Sequence, residues 1–472
     1  MRETLKRLFE LIDDYLNITA TDHPVVNYLP PEELSARLPL TIGEDGEDIK
    51  QSLEHISTYL KYAVQTGNPF FLNQLYAGFN MPAFIGDVIT SLTNTSIYTY
   101  EVAPVAVMME LELVKKMNEF TGFTDGDGTF LTGGSNANLV SMFTARNQKI
   151  SDVKQSGLYG QKPLIAYVSD QAHYSFGTAA NMLGLGVGNL VKIKTDAGGR
   201  MIVSDLVDHI EGSIASGHVP FFIGATAGTT VKGAFDPIDE IADRCKEYGC
   251  WLHVDGAFGG SAILSRNHRH LLNGIGRADS FAWDPHKLMN IPLICAALLV
   301  KKKGIFNQNL IALDTDYLYH ESESCAYDLG KKSIQCGRRV DVLKLWLSWK
   351  YHGDAGYEKR VMRLFDLADY MAECVSRADN LELLAPVQSF TVCFRYKAPA
   401  GKDANALNKT IRDNLWTRGQ CMVNYGYVNE RLAIRFVAAN PDLDNSHIDR
   451  FISYIQEEGA RLLAAPGDEM KY

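Results

Sequence analysis

The sequence predicts an α/β fold built on a mostly parallel central sheet, with a helical N-terminal segment and a smaller α+β domain toward the C-terminus. Three observations carry this reading. Short apolar runs at 164–168, 190–193, 221–226, 251–254 and 280–283 have the length and bounding residues of buried strands. A helical face of Ile238, Ile241, Ala242 and Cys245 lies between two of them, opened by Asp236-Pro237 as its cap and ended by Gly249. Strand, helix and strand in that order form a parallel unit, and its repetition along the chain makes a sheet covered by helices.

Residues 1–66 carry helical patterns joined by His23-Pro24 and Pro30-Pro31, the second starting near Pro31-Glu32-Glu33, where proline and acids suit a first turn. Their apolar surface is too small to stand alone, so they are expected to pack on the main body or on a second subunit. Residues 67–345 are expected to form the large domain. Its opening stretch, 68–101, mixes aromatic and amide side chains as the lining of a pocket does. Residues 314–333 are polar, rich in tyrosine and aperiodic, as expected of a mobile loop. A helical pattern runs from 341 to 378, and residues 346–472 are expected to form the small domain, with strands near 389–396 and 432–438 and helices near 405 and 447.

At 472 residues and 46% apolar composition the chain can bury a large core. Its net charge of −10 argues against a nucleic-acid or anionic-membrane partner. No apolar run approaches the ~18 residues of a membrane span. The N-terminus lacks a signal-peptide pattern, since Leu5, Leu8, Ile12 and Tyr15 recur at helical spacing among charges, and a cytoplasmic location is expected. Eight scattered cysteines read as reduced thiols rather than a disulfide framework. Cys245 and Cys250 lack a second pair or a histidine cluster, so no metal site is expected.

The chemistry centres on two strand ends. The run 280–283 stops before Pro285 and presents Lys287 among Phe281, Trp283, Leu288 and Met289, where lost hydration lowers an amine's pKa and frees it as a nucleophile. Upstream, the run 251–254 ends in Asp255 followed by small residues, among them Ala257. Taken singly, Lys287 reads as a lysine snorkelling from a strand end and Asp255 as a cap or turn aspartate. Together they supply what pyridoxal phosphate needs, a lysine for its aldehyde and an acid for its pyridinium nitrogen. Gly133-Gly134-Ser135-Asn136 opens a helix whose free amides can cradle a phosphate, and His173 leaves the strand at 164–168 where an imidazole can stack on the ring. Gly184, Gly186 and Gly188 imitate a dinucleotide fingerprint but precede a strand instead of following one, so a Rossmann site is rejected. Ligands of such sheets sit at the carboxyl ends of the strands, where His173, Asp255 and Lys287 all fall.

With Phe71-Leu72-Asn73-Gln74-Leu75, Thr99-Tyr100-Glu101-Val102-Ala103-Pro104, Thr226-Ala227-Gly228-Thr229-Thr230, His253-Val254-Asp255, Asp284-Pro285-His286-Lys287 and Gln335-Cys336-Gly337-Arg338-Arg339-Val340-Asp341, nearly the whole chain resembles the group II pyridoxal-phosphate decarboxylases. Within them it is similar to the animal-type glutamate and cysteine sulfinate decarboxylases. The resemblance implies a type I aminotransferase-like fold and a homodimer with active sites shared at the subunit interface. It implies that Lys287 holds the aldehyde, Asp255 the ring nitrogen, and His173 the ring face with Ala257 beneath. Ser135 and Asn136 would meet the phosphate, His286 would flank it, and Thr230 would contact the cofactor. Gln74, Tyr76, Ser96 and Arg435 would face the substrate, Arg435 on its α-carboxylate, and Tyr327 would return a proton to the α-carbon.

The implied reaction is decarboxylation of an acidic L-amino acid. Cysteine sulfinate, giving hypotaurine, is expected first, with aspartate, cysteate and glutamate as alternatives; an aminotransferase or a non-catalytic relative is the more distant reading. Relatives acting on glutamate carry serine and asparagine at the positions of Tyr76 and Ser96, whereas those acting on cysteine sulfinate carry phenylalanine and serine. A bulky aromatic at 76 shortens the pocket by roughly a methylene, a difference typically worth about 1–3 kcal/mol. Three positions depart from the family pattern: Ala137 replaces a common serine, Ile294 a glutamine, and Asp284 the usual asparagine. An acid at 284 would repel a phosphate unless turned away.

Overall fold

The computed structural model describes residues 1–19, 23–310, 317–320 and 323–464. In chain order its strands are β1 (Phe71–Leu72), β2 (Asp127–Leu131), β3 (Leu164–Ser169), β4 (Leu190–Ile193), β5 (Val219–Thr226), β6 (Trp251–Gly256), β7 (Ser280–Trp283), β8 (Ala296–Val300), β9 (Leu381–Leu383), β10 (Thr391–Tyr396), β11 (Met422–Val428) and β12 (Arg431–Val437). The chain divides into two compact units, one of Asn80–Phe365 with Gln388–Phe390, the other of Met1–Phe79, Asp366–Val387 and Thr391–Tyr472.

In the first unit the strands run β2-β8-β7-β6-β5-β3-β4. From β4 to β7 every pairing is parallel, and β8 lies antiparallel to both β7 and β2. Strands β2, β3, β7 and β8 are buried along their whole length, which is why they read as continuous apolar runs rather than alternating ones. The same continuity hid β8, because a short apolar run without periodicity is equally compatible with a buried helix.

The helix Gly134–Lys149 ties the sheet together. Met142 and Ala145 join Leu164, Ala166, Val168 and Phe222 in one core cluster, and Ala137 and Val140 join Leu131, Ala282 and Leu298 in another. Ala137 is therefore a fully buried packing residue. The cap expected at Asp236 is not found. Pro237 precedes the helix Ile238–Tyr248 without a side-chain cap, and the buried Asp236 carboxylate instead accepts from the backbone N–H of Met201 and Thr226, each at 2.7 Å. Its own N–H donates to the Thr226 carbonyl, so the acid knits the end of β5 to its neighbours rather than opening a helix.

The second unit holds a sheet in the order β1-β11-β12-β10-β9, antiparallel except where β1 pairs parallel to β11. The sequence places boundaries near 66 and 345, but the units divide after Phe79 and within the long helical stretch Asp341–Arg377, after Phe365. That stretch is interrupted at Gly353, whose φ of 63° favours glycine. Of the expected loop, residues 314–316 and 321–322 lie outside the described residues, and the short 3₁₀ turns Cys325–Tyr327 and Leu329–Lys332 occupy much of the rest. Among the described residues no helix is long and apolar enough to cross a membrane.

Asp236→Asn would turn an amide N–H against a backbone N–H donor in a fully buried site, and one such mismatch costs about 1–3 kcal/mol. The denaturant midpoint of unfolding is expected to fall accordingly, and an unchanged midpoint would refute the role given to this carboxylate.

Candidate active site

The carboxyl ends of β3, β5, β6 and β7 open onto a cavity of about 360 Å³. Lys287 reaches it because β7 stops at Trp283 and the chain turns at once, with the Lys287 N–H donating to the Asp284 carbonyl at 3.0 Å. Trp283, Leu288 and Met289 are wholly buried around it. The Lys287 amine, one-fifth exposed, lies 3.2 Å from Asp284 Oδ2. Asp284 is not turned away from the site; it lines the cavity.

Asp255 ends β6 with both oxygens engaged: Oδ1 accepts from the Ala257 N–H at 3.1 Å and Oδ2 from Asn138 Nδ2 at 2.8 Å. Asn138 sits one helical turn after Gly134 and is the hub of a buried network. Its Nδ2 also donates to Ser175 Oγ at 3.0 Å, while its Oδ1 meets His253 Nε2 at 2.9 Å. An oxygen there can only accept, so His253 carries its proton on Nε2 and its Nδ1 accepts from Ser280 Oγ, 2.8 Å away. Ser175, holding the Asn138 amide, passes its own hydrogen to His173 Nδ1 at 2.8 Å, which leaves the His173 proton on Nε2. Burial lowers the pKa of His173 against the opposing pull of Asp255, and drives that of the fully buried His253 down to about 4. Both imidazoles are neutral.

On the facing wall Gly133 adopts φ 117° and the helix begins at Gly134. A Cβ on Gly134 would stand 2.8 Å from both the Ala257 Cβ and Asp284 Oδ2, so only glycine lets the helix start approach this closely. Free amides at the end of a sixteen-residue helix attract anions. Ser135, Thr230, Ala257 and His286 line the same cavity, as does Ile294. Asn136 is not among the lining residues, and its Oδ1 is buried without a hydrogen-bond partner.

The remaining expected residues fall elsewhere. Ser96 Oγ accepts from the Arg338 N–H at 3.1 Å and approaches the Cys336 carbonyl at 3.4 Å. Tyr327 is 41% exposed, its ring 5.7 Å from that of Tyr100. Gln74, Tyr76 and Arg435 belong to the other unit, where the buried Arg435 donates to the Asn73 carbonyl at 2.9 Å and Tyr76 lies 6.1 Å from Phe71, ring to ring. Asn138, Ser175 and His253 escaped sequence reasoning; the one available signal was the spacing of Gly134 and Asn138, which puts both on one helix face. Among the described residues no cluster of His, Cys, Asp and Glu is placed to hold a metal ion.

An amine at a strand end, a hydrogen-bonded acid and an anion cradle, all lining one cavity, fit the aldehyde, ring nitrogen and phosphate of pyridoxal phosphate, and so define a pyridoxal-phosphate enzyme of the type I fold. The model of the pyridoxal-dependent decarboxylase conserved domain matches residues 31–397, and the chain belongs to that family of amino-acid decarboxylases. It is 40% identical to cysteine sulfinic acid decarboxylase of Mus musculus, over 97% of this chain and 96% of that one. It is 38% identical to the acidic amino acid decarboxylase GADL1 of Bos taurus, over 94% and 88%. The crystal structure of mouse CSAD superposes with a TM-score of 0.94 at 40% identity, covering 97% of this chain and 98% of that one.

His253 supplies a pH test of the network. Its folded pKa of about 4 lies below the ordinary 6.5, so its contribution to stability is complete above pH 6.5 and is lost as pH falls toward 4. The loss amounts to about 3 kcal/mol. Unfolding midpoints across that window should flatten in His253→Gln, and identical slopes in the two proteins would show that the network does not hold this imidazole neutral.

Proposed function

We propose that this decarboxylase acts on short acidic L-amino acids and prefers cysteine sulfinate, releasing CO2 and hypotaurine. The observation that carries the reading is the 40% identity to a cysteine sulfinic acid decarboxylase over nearly the full length of both chains. Bound pyridoxal phosphate supplies the electron sink for the charge left on the α-carbon. Lys287 would hold the aldehyde, and Asp255, with two hydrogen bonds supporting its anionic form, would hold the proton on the ring nitrogen. His173 would stack on the ring, its orientation supported by the bond to Ser175. Ser135, Asn136, Thr230 and His286 would secure the cofactor, and Ala257 would contact its ring. Arg435 takes the α-carboxylate: a buried guanidinium favours a planar anion that it can grip with two hydrogen bonds.

Tyr76 sets the length of the side-chain pocket with Gln74 beside it. Ser96 offers a hydroxyl to the distal acid, which its long 3.4 Å contact with Cys336 leaves able to turn. Tyr327 returns the proton to the α-carbon. The enzyme works as a homodimer with shared sites, and its eight scattered cysteines, read as reduced thiols, suit the reducing cytoplasm. The name of the GADL1 relative, which specifies only acidic amino acids, keeps aspartate as the second substrate.

Offered cysteine sulfinate, aspartate and glutamate together, the enzyme should yield hypotaurine first and γ-aminobutyrate last; a highest kcat/KM for glutamate would overturn the pocket argument. Tyr327→Phe should bind cofactor and substrate normally yet lose the amine product, with an aldehyde appearing in its place. Full amine yield would exclude Tyr327 as the acid.

A further inference from the structure

Asp284 is an acid beside the helix start at Gly134, where free amides attract an anion. It is 1% exposed on the cavity wall, with Oδ2 3.2 Å from Lys287 Nζ and 3.6 Å from His286 Nε2. Its Oδ1 is buried without a hydrogen-bond partner. The same carboxylate lies against Gly134, where an added Cβ would stand 2.8 Å from Oδ2 and 3.3 Å from Oδ1. Asp284 thus shares the start of the helix Gly134–Lys149, the place whose amides attract an anion.

Two anions within a few ångströms in a buried site cannot both stay fully charged, so one of them takes a proton or one of them leaves. The groups facing Asp284 offer little relief. Lys287 and His286 come from its own turn, His173 from the exit of β3, and Cys295 from the residue before β8, while Asp255 lines the same cavity. Burial keeps both histidines below their ordinary pKa and the Cys295 thiol far above its own, so none of the three is charged. Lys344 is ion-paired with Asp341 at 3.0 Å. That leaves Lys287, whose amine is the group that reacts with the aldehyde.

We propose that Asp284 is protonated when the phosphate is bound and donates its carboxyl hydrogen to a phosphate oxygen, so that cofactor loading takes up one proton from solvent. Loading is then favoured at lower pH, and Asp284 is a binding residue with an acid-dependent grip. An asparagine there would donate its amide hydrogen at every pH.

The test is equilibrium binding of pyridoxal phosphate to the full-length apo-protein from roughly pH 6 to 8.5, read by visible absorbance and tryptophan fluorescence, for wild type and Asp284→Asn, with pyridoxal run in parallel. The wild-type Kd should rise with pH more steeply than that of the variant, by up to about tenfold per pH unit for one proton. The excess slope should vanish with pyridoxal, which lacks the phosphate. Parallel slopes for the two proteins would overturn the proposal, as would an excess slope that persists with pyridoxal, because the acid would then be acting on Lys287. Should Asp284→Asn fold poorly, calorimetry of the wild type in two buffers of different ionisation heat counts the protons directly. More protons taken up with pyridoxal phosphate than with pyridoxal supports the proposal, and equal counts refute it.

Discussion

The hydrogen bond from Asn138 to Asp255 is the constraint on which the arrangement of the site depends. A carboxylate 5% exposed at the end of a central strand needs donors. One comes from the Ala257 backbone and the other from a side chain that must arrive from across the sheet. Asn138 arrives because the helix carrying it starts at Gly134, hard against Ala257, after a residue at φ 117° that glycine supplies without strain. Because the Asp255 oxygen can only accept, it fixes the orientation of that amide, and the amide oxygen then takes the Nε2 hydrogen of His253, two residues before Asp255 on β6. The acid and, through Ser175, the imidazole at 173 are thereby tied to one side chain, carried by the helix whose start forms the anion cradle.

Charge is distributed sparingly in the cavity. Its two lining histidines are held neutral by burial, and its lysine lies against an acid. The low dielectric that makes a single unmatched charge costly also makes each remaining one effective. No arginine lines this cavity among the described residues, so an anion bound there would meet hydrogen-bond donors and the helix end.

In the other unit the N-terminal segment is bound into the C-terminal sheet by a strand of only two residues, with Phe71 opposite Met422 and Leu72 opposite Val423. The polar residues beside it extend the connection: the Asn440 amide donates to the carbonyls of Gly67 and Asn68, and Arg435 to that of Asn73. The Arg435 side chain is therefore aligned by the segment that also carries Gln74 and Tyr76, although more than three hundred residues of chain separate them.

Much of the fold was legible in the sequence because its signals are local. Continuous apolar runs, proline and glycine punctuation and a helical face at 238–245 depend on neighbours in the chain, and strands β3 to β7 emerged close to where those signals put them. The placement of Lys287, Asp255 and His173 around one cavity was legible for the same reason, each lying at or just beyond the end of such a run. Tertiary structure decided what local pattern could not carry. Asp236 has the sequence context of a cap yet spends its carboxylate on two backbone amides, one of them at distant Met201. Arg338, within a family motif, proves to be a buried ion-pair partner of Glu110 at 2.9 Å. Asn138, Ser175, His253 and Ser280 become one network only when two strands and two helices converge. A hydrogen bond is specified by distance and direction between atoms far apart in the chain, and a linear pattern of residue types holds neither.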